Sequence, residues 1–362
     1  MLNFLTTFRT FDPKNNSLDF LRLILAILVI ISHASGNYGR EFMLIMHDFD
    51  GLETHLGTFA VYGFFGLSGY LITGSCLKTF AKNPNNVDRA LDFFKKRILR
   101  IYPGFIVSML VLCFIFVPLW LVLENKFSFD IFIKEYLVEI WKYIDANIFL
   151  RITKENIGNA NYGQNINGPY WTLAHEFRLY IVTFVLGIMG FLSSKFKVFG
   201  FFLLTWIGYI LVAFVPWIRD SLNWIIPDAR TVILFAYYFA GSFLFTVKDY
   251  LKFNVLSGLG SILILFLGYK LDIFPFISPL VYVYLCLWLG IFLPFKNLSS
   301  KVGDYSYGVY IYSVPVMLTL IKLDLVKIGA IPFISLNIAL SLIMGYLSWN
   351  LIEKKFLEHR KI

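Results

Sequence analysis

Four charged side chains stand inside otherwise apolar stretches of this 362-residue chain: Asp19, Arg22, Glu176 and Arg178. Two histidines, His33 and His175, fall in the same stretches. An ionisable group at membrane depth is costly, so each is by default a candidate for chemistry or transport. Arg22 and His33 are eleven residues apart, and eleven steps of 100° make three turns plus about 20°. Both therefore share one helix face, about 16 Å apart along its axis. Glu176 and Tyr180 form an i, i+4 pair, with His175 and Arg178 directed elsewhere on that helix. A histidine partnered by a carboxylate is the usual arrangement for a base that takes a proton from a hydroxyl. The carboxylate fixes the tautomer and stabilises the imidazolium. Asp19 and Arg22 also fit an interfacial i, i+3 pair that reaches for lipid head groups. On these residues alone a proton relay or a transporter fits nearly as well as an enzyme.

The elements that must hold these residues are membrane helices. Hydrophobic residues make up 58% of the chain, charged ones only 15%, and the mean hydropathy is +0.70; soluble domains carry about 25% charge. Apolar runs of about 18 residues or more recur, each long enough to cross a hydrocarbon core. They predict an all-α polytopic membrane protein with about ten transmembrane helices, near 18–35, 55–76, 101–123, 170–192, 198–215, 231–247, 253–269, 274–294, 305–321 and 332–352. With the N-terminus inside, basic residues outnumber acidic ones more than twofold in the inner segments, and acidic residues prevail in the outer ones. The positive-inside rule therefore puts both termini in the cytoplasm. The segment 77–100 is the most basic, with Lys78, Lys82, Arg89, Lys95, Lys96, Arg97 and Arg100 against Asp88 and Asp92. Two sizeable loops, 36–54 and 124–169, lie outside. The second is too long for a connector, and its Gly/Asn-rich end, 159–168, suits a shaped loop over a binding site.

The same composition sets aside several other readings. The net charge of +9 belongs to short inner segments, so topology explains it and no nucleic-acid partner is expected. Cys76, Cys113 and Cys286 show no metal-ligand spacing and read as packing residues, with no metal site expected. Arg22 interrupts the first apolar run, which reads as a signal anchor rather than a cleaved leader. The expectation is a single membrane domain over residues 1–362, with no fused soluble domain.

Five motifs together resemble the acyltransferase family 3 membrane proteins. Leu18-Asp19-Phe20-Leu21-Arg22 through Ile30-Ile31-Ser32-His33-Ala34 resembles that family's opening helix. Gly63-Phe64-Phe65-Gly66-Leu67-Ser68-Gly69-Tyr70-Leu71-Ile72 is similar to its second-helix signature, and Arg97-Ile98-Leu99-Arg100-Ile101-Tyr102-Pro103 to the start of its third. Asn167-Gly168-Pro169-Tyr170-Trp171-Thr172-Leu173, followed by Glu176 and Tyr180, resembles its Trp-Thr/Ser-Leu-x-x-Glu-x-x-x-Tyr segment, and Tyr305-Ser306-Tyr307-Gly308-Val309-Tyr310-Ile311 completes the set. The motifs run in order from residue 18 to about 315. Many relatives carry a histidine where Ser313 stands here.

The resemblance implies an integral-membrane O-acyltransferase of the bacterial inner membrane. It would move an acyl group, acetyl by preference, from cytoplasmic acyl-CoA to a hydroxyl of an extracytoplasmic carbohydrate. No permanently bound cofactor is implied; acetyl-CoA is the donor substrate. His33 is the expected catalytic base and Glu176 its orienting carboxylate. Arg97 and Arg100, placed on one helix face by their i, i+3 spacing, are expected to grip the donor's phosphates. The donor arm would then follow Arg22, with room made by Ser68 and Gly69, and Trp171, Tyr180 and Tyr307 are expected to contact substrate. A glycolipid transporter or flippase using the same charges would more often show an internal repeat with broken helices in matched positions. The sequence shows none.

Overall fold

The computed structural model describes residues 6–38, 45–49, 52–148, 167–225 and 230–358. Each predicted span corresponds to a helix. They are α1 (Leu18–Ser35), α2 (Leu56–Lys82), α3 (Asn86–Leu123), α5 (Tyr170–Ile188), α6 (Lys195–Phe214), α8 (Arg230–Thr246), α9 (Val255–Lys270), α10 (Phe274–Phe292), α11 (Ser306–Lys322) and α12 (Ala330–Glu358). Six of these regions, α1, α2, α3, α6, α10 and α12, are long and apolar enough to cross a membrane. Two helices arise where loops were expected: α4 spans 129–148 and α7 is Pro216–Ile225. A short antiparallel hairpin, β1 (Ile45–Phe49) and β2 (Leu52–His55), precedes α2. Of the shaped loop expected at 159–168, all but Asn167 and Gly168 lies outside the described residues.

The contacts group the chain into two compact units, each drawn from several segments. The first gathers Met1–Leu28, Leu44–Phe94 and Arg178–Val302. Its centre is a close crossing of α2 with α8. A Cβ on Gly69 would lie 1.9 Å from the carbonyl oxygen of Tyr238, and one on Gly241 would lie 1.9 Å from that of Gly66. Small residues let the two backbones touch, which is how membrane helices associate without a hydrophobic driving force. The room that Gly69 was expected to leave for a donor arm is therefore taken by α8, and Ser68 beside it is buried. Gly241→Ala should overpack this crossing, at a cost of about 1 to 3 kcal/mol. The expected result is a clearly lower melting temperature in detergent, whereas Gly200→Ala, with nothing within 4 Å of the added carbon, should leave it unchanged.

The second unit gathers Val29–Met43, Lys95–Phe177 and Gly303–Ile362. Here α11 packs on α12 with Gly308 against Gly345. Further along, Val314, Val316, Met317 and Leu320 close on Phe333, with Ala34 completing the cluster. At one end Trp120 donates to Thr319 over 2.8 Å, and Lys322 pairs with Glu124. Burial pushes the Glu124 carboxyl up, but hydrogen bonds from Lys322 and Lys126 more than offset it and hold the group below its ordinary value. Pro315 lies inside α11 and has no N–H, so the carbonyl of Ile311 loses its helical partner. The side-chain amide of Asn167 takes up that carbonyl at 3.0 Å. The start of α5 is thereby tied to α11.

Candidate active site

The tie at Asn167 sets the position of Gly168, and Gly168 sits beside His33. Thr172 donates its hydroxyl to the Pro169 carbonyl at 2.8 Å, closing the first turn of α5. That hydroxyl hydrogen being used, the contact at 2.8 Å between Thr172 and Tyr310 is made by the tyrosine donating. The same accounting applies to Tyr170. Ser108 donates to the Phe105 carbonyl, so Tyr170 donates to Ser108 over 2.8 Å. The N-terminal turn of α5 is thus held from α3 and from α11 by directed hydrogen bonds.

Nδ1 of His33 lies 3.2 Å from the carbonyl oxygen of Val29, one turn back on α1. A carbonyl only accepts, so Nδ1 carries the hydrogen and Nε2 keeps its lone pair. A backbone group therefore sets the tautomer, a task the sequence reading gave to Glu176. His33 is exposed, and a Cβ placed on Gly168 would stand 3.8 Å from Nε2. Nε2 thus lies beside a residue that has no side chain. A hydroxyl can approach it there.

Glu176 is half-buried on α5 and lies within electrostatic reach of the Tyr307 and Tyr310 hydroxyls. Tyr307 donates to the Ile101 carbonyl at 3.0 Å, so its hydroxyl serves the joint between α11 and α3. Trp171 is half-buried and stacks edge-on with His175, ring centres 5.3 Å apart. Ser313 folds back on its own helix, donating to the Tyr310 carbonyl at 2.8 Å. Tyr180 is buried and belongs to the first unit, as do Arg22, Ser68 and Gly69. His33, Arg97, Arg100, Trp171, Glu176 and Tyr307 belong to the second.

Arg100 departs most from expectation. Its guanidinium binds Asp304 at 2.5 Å and Glu353 at 3.2 Å, between the rings of Tyr307 and Trp349. A π-turn, Trp349–Glu353, brings Glu353 into the interior, where Ser348 donates to its second oxygen at 2.8 Å. Two carboxyl groups thus meet one guanidinium. Arg100 therefore ties α3 to α12 and to the start of α11, and its guanidinium is engaged by carboxyl groups of this chain rather than held out as a phosphate grip. Arg97, its companion in the expected grip, is only 5% exposed. Neither partner of Arg100 was visible in the sequence, being 204 and 253 residues away. Among the described residues no cluster of three His, Cys, Asp or Glu side chains could hold a metal ion.

Helices long and apolar enough to cross a membrane, an exposed histidine near one end of α1 and a half-buried carboxylate on α5 are the features that the described residues present. The chain matches the family model described as an acyltransferase domain over residues 15–350 and belongs to that family, acyltransferase family 3. It is similar to the O-acetyl transferase of Shigella phage Sf6, with 28% identity over 356 residues, covering 95% of this chain and 96% of that protein. No solved structure matches it. The chain is an enzyme that transfers acyl groups, and O-acetylation is the activity its relative supports.

Proposed function

We propose that this enzyme moves an acetyl group from cytoplasmic acyl-CoA to a hydroxyl of an extracytoplasmic glycan, working in the bacterial inner membrane. The observation that carries this reading is His33, an exposed imidazole whose Nδ1 is bonded to the Val29 carbonyl and whose Nε2 lies beside Gly168. In the reaction, Nε2 takes the proton of the acceptor hydroxyl as its oxygen attacks the thioester carbonyl. The tetrahedral intermediate collapses with loss of the CoA thiolate. That sulfur receives the proton from His33, so the products are an O-acetyl ester and free CoA, with the imidazole neutral again. Glu176 supplies the negative charge that stabilises the transient imidazolium.

In this reading donor and acceptor come from opposite sides of the membrane. All ten apolar helices then cross the membrane with both termini in the cytoplasm, the arrangement favoured by the positive-inside rule. Single cysteines introduced at Asn85 and Asn161 in a Cys-free background test it. An impermeant thiol reagent on intact cells should label position 161 and spare 85. Labelling at 85 but not 161 would reverse the orientation and place the proposed acceptor side in the cytoplasm.

A further inference from the structure

The donor's phosphates were expected at Arg97 and Arg100, yet Arg100 is already held by Asp304 and Glu353. A different basic site lies in the first unit. A cleft of about 390 Å³ opens at the start of α1, lined among others by Phe11, Lys14, Asp19, Arg22, Asn297 and Ser300. Lys14 and Arg22 against Asp19 leave it one unit positive. Asn297 and Ser300 add neutral donors, while Phe11 provides an aromatic wall.

The cleft is built rather than incidental. The Asn16 side-chain oxygen accepts from Leu18 N–H at 3.1 Å, capping α1, while its amide donates to the carbonyls of Asp12 and Pro13 at 3.0 and 3.1 Å. The opposite wall is stapled to this turn. Asn297 N–H donates to the Asn16 carbonyl at 2.8 Å, and Ser17 donates its hydroxyl to the Leu293 carbonyl at 2.7 Å. Asn297 itself takes the left-handed backbone, at φ 55, that asparagine tolerates. Two segments 281 residues apart in sequence thus form one rigid polar mouth around Arg22. Its volume falls in the range of small-molecule sites, about 300 to 1,000 Å³, and suits one nucleotide rather than a whole coenzyme.

We propose that this cleft binds the nucleotide end of the acyl donor, with Lys14 and Arg22 on its phosphates and Phe11 against its base. The inference rests on the acyl-CoA reading above and places the donor's head away from Arg97 and Arg100. The phosphate of an anionic lipid offers the same chemistry, so the experiment separates the two sources. The full chain is reconstituted in phosphatidylcholine nanodiscs and titrated with radiolabelled CoA, with adenosine 3′,5′-bisphosphate as competitor. The expected result is competition by the bisphosphate in the wild type, and Lys14→Glu weakening both ligands at least tenfold. Lys14→Glu should also raise the KM for acetyl-CoA by a similar factor, with no such rise for S-acetylpantetheine, which lacks the nucleotide. Misfolding would damage both donors alike. Wild-type CoA affinity in Lys14→Glu, or no competition by the bisphosphate, would overturn the inference and leave the donor reading intact. Displacement of the bisphosphate by phosphatidylglycerol, at the fractions found in a bacterial membrane, would assign the cleft to lipid and overturn it too. A wild type that neither binds CoA nor turns over acetyl-CoA would remove the donor reading itself and the inference with it.

Discussion

His33→Ala should abolish measurable O-acetylation of the surface glycan while the protein accumulates in the membrane at its normal level. A general base contributes about 10²- to 10⁴-fold in rate, and no second group offers itself in the same position. His175 is fully buried and turned onto Trp171, and Ser313 is folded back on its own helix. The side chain of His33 is exposed, so truncation leaves no buried cavity, and the bond to Val29 that it breaks lies within α1. Loss of activity with retained abundance is therefore the expected pattern. The O-acetyl signal in NMR spectra of isolated polysaccharide, normalised to membrane protein, measures it. Undiminished acetylation would remove His33 from the mechanism.

Glu176→Gln should cost about ten- to a hundredfold, less than His33→Ala. The carbonyl of Val29 already bonds Nδ1, so in the proposed mechanism glutamine removes the negative charge that Glu176 supplies to the imidazolium and leaves the tautomer set. Charge-assisted contacts are worth about 1.5 to 3 kcal/mol, and each 1.36 kcal/mol is a factor of ten in rate. Adding Glu176→Gln to His33→Ala should then change nothing more, because a carboxylate without an imidazolium has nothing to stabilise. Steady-state rates at saturating acetyl-CoA for the two single variants and the double variant decide this. Losses that multiply would mean that Glu176 acts independently of His33.

The helices and the charged residues within them were legible in the sequence for the same reason. Lipid allows only closed helices of a set length, and it makes every charge left inside conspicuous. Asp19, Arg22, His33 and Glu176 could be found by elimination alone. What stayed hidden depends on backbone groups and on distant partners. The Val29 carbonyl has no side-chain signature. The Ile311 carbonyl becomes available only because Pro315 lies four residues on, and its partner Asn167 is 144 residues away. Arg97 and Arg100 looked like a phosphate grip because spacing reports which face a side chain occupies and not who meets it there. Asp304 and Glu353 reach Arg100 through a loop and a π-turn, neither of which leaves a periodic trace. Ser68 and Gly69 likewise look like room for a ligand until α8 is seen to fill it.

The most direct test supplies acetyl-CoA labelled in the acetyl group to proteoliposomes that hold the purified enzyme and the cell's own lipid-linked glycan. Label should appear in the glycan as a base-labile ester, with one free CoA released for each ester formed, and His33→Ala should give neither. Label transferred at the wild-type rate by His33→Ala, or ester formation without release of CoA, would contradict transfer from acyl-CoA through His33.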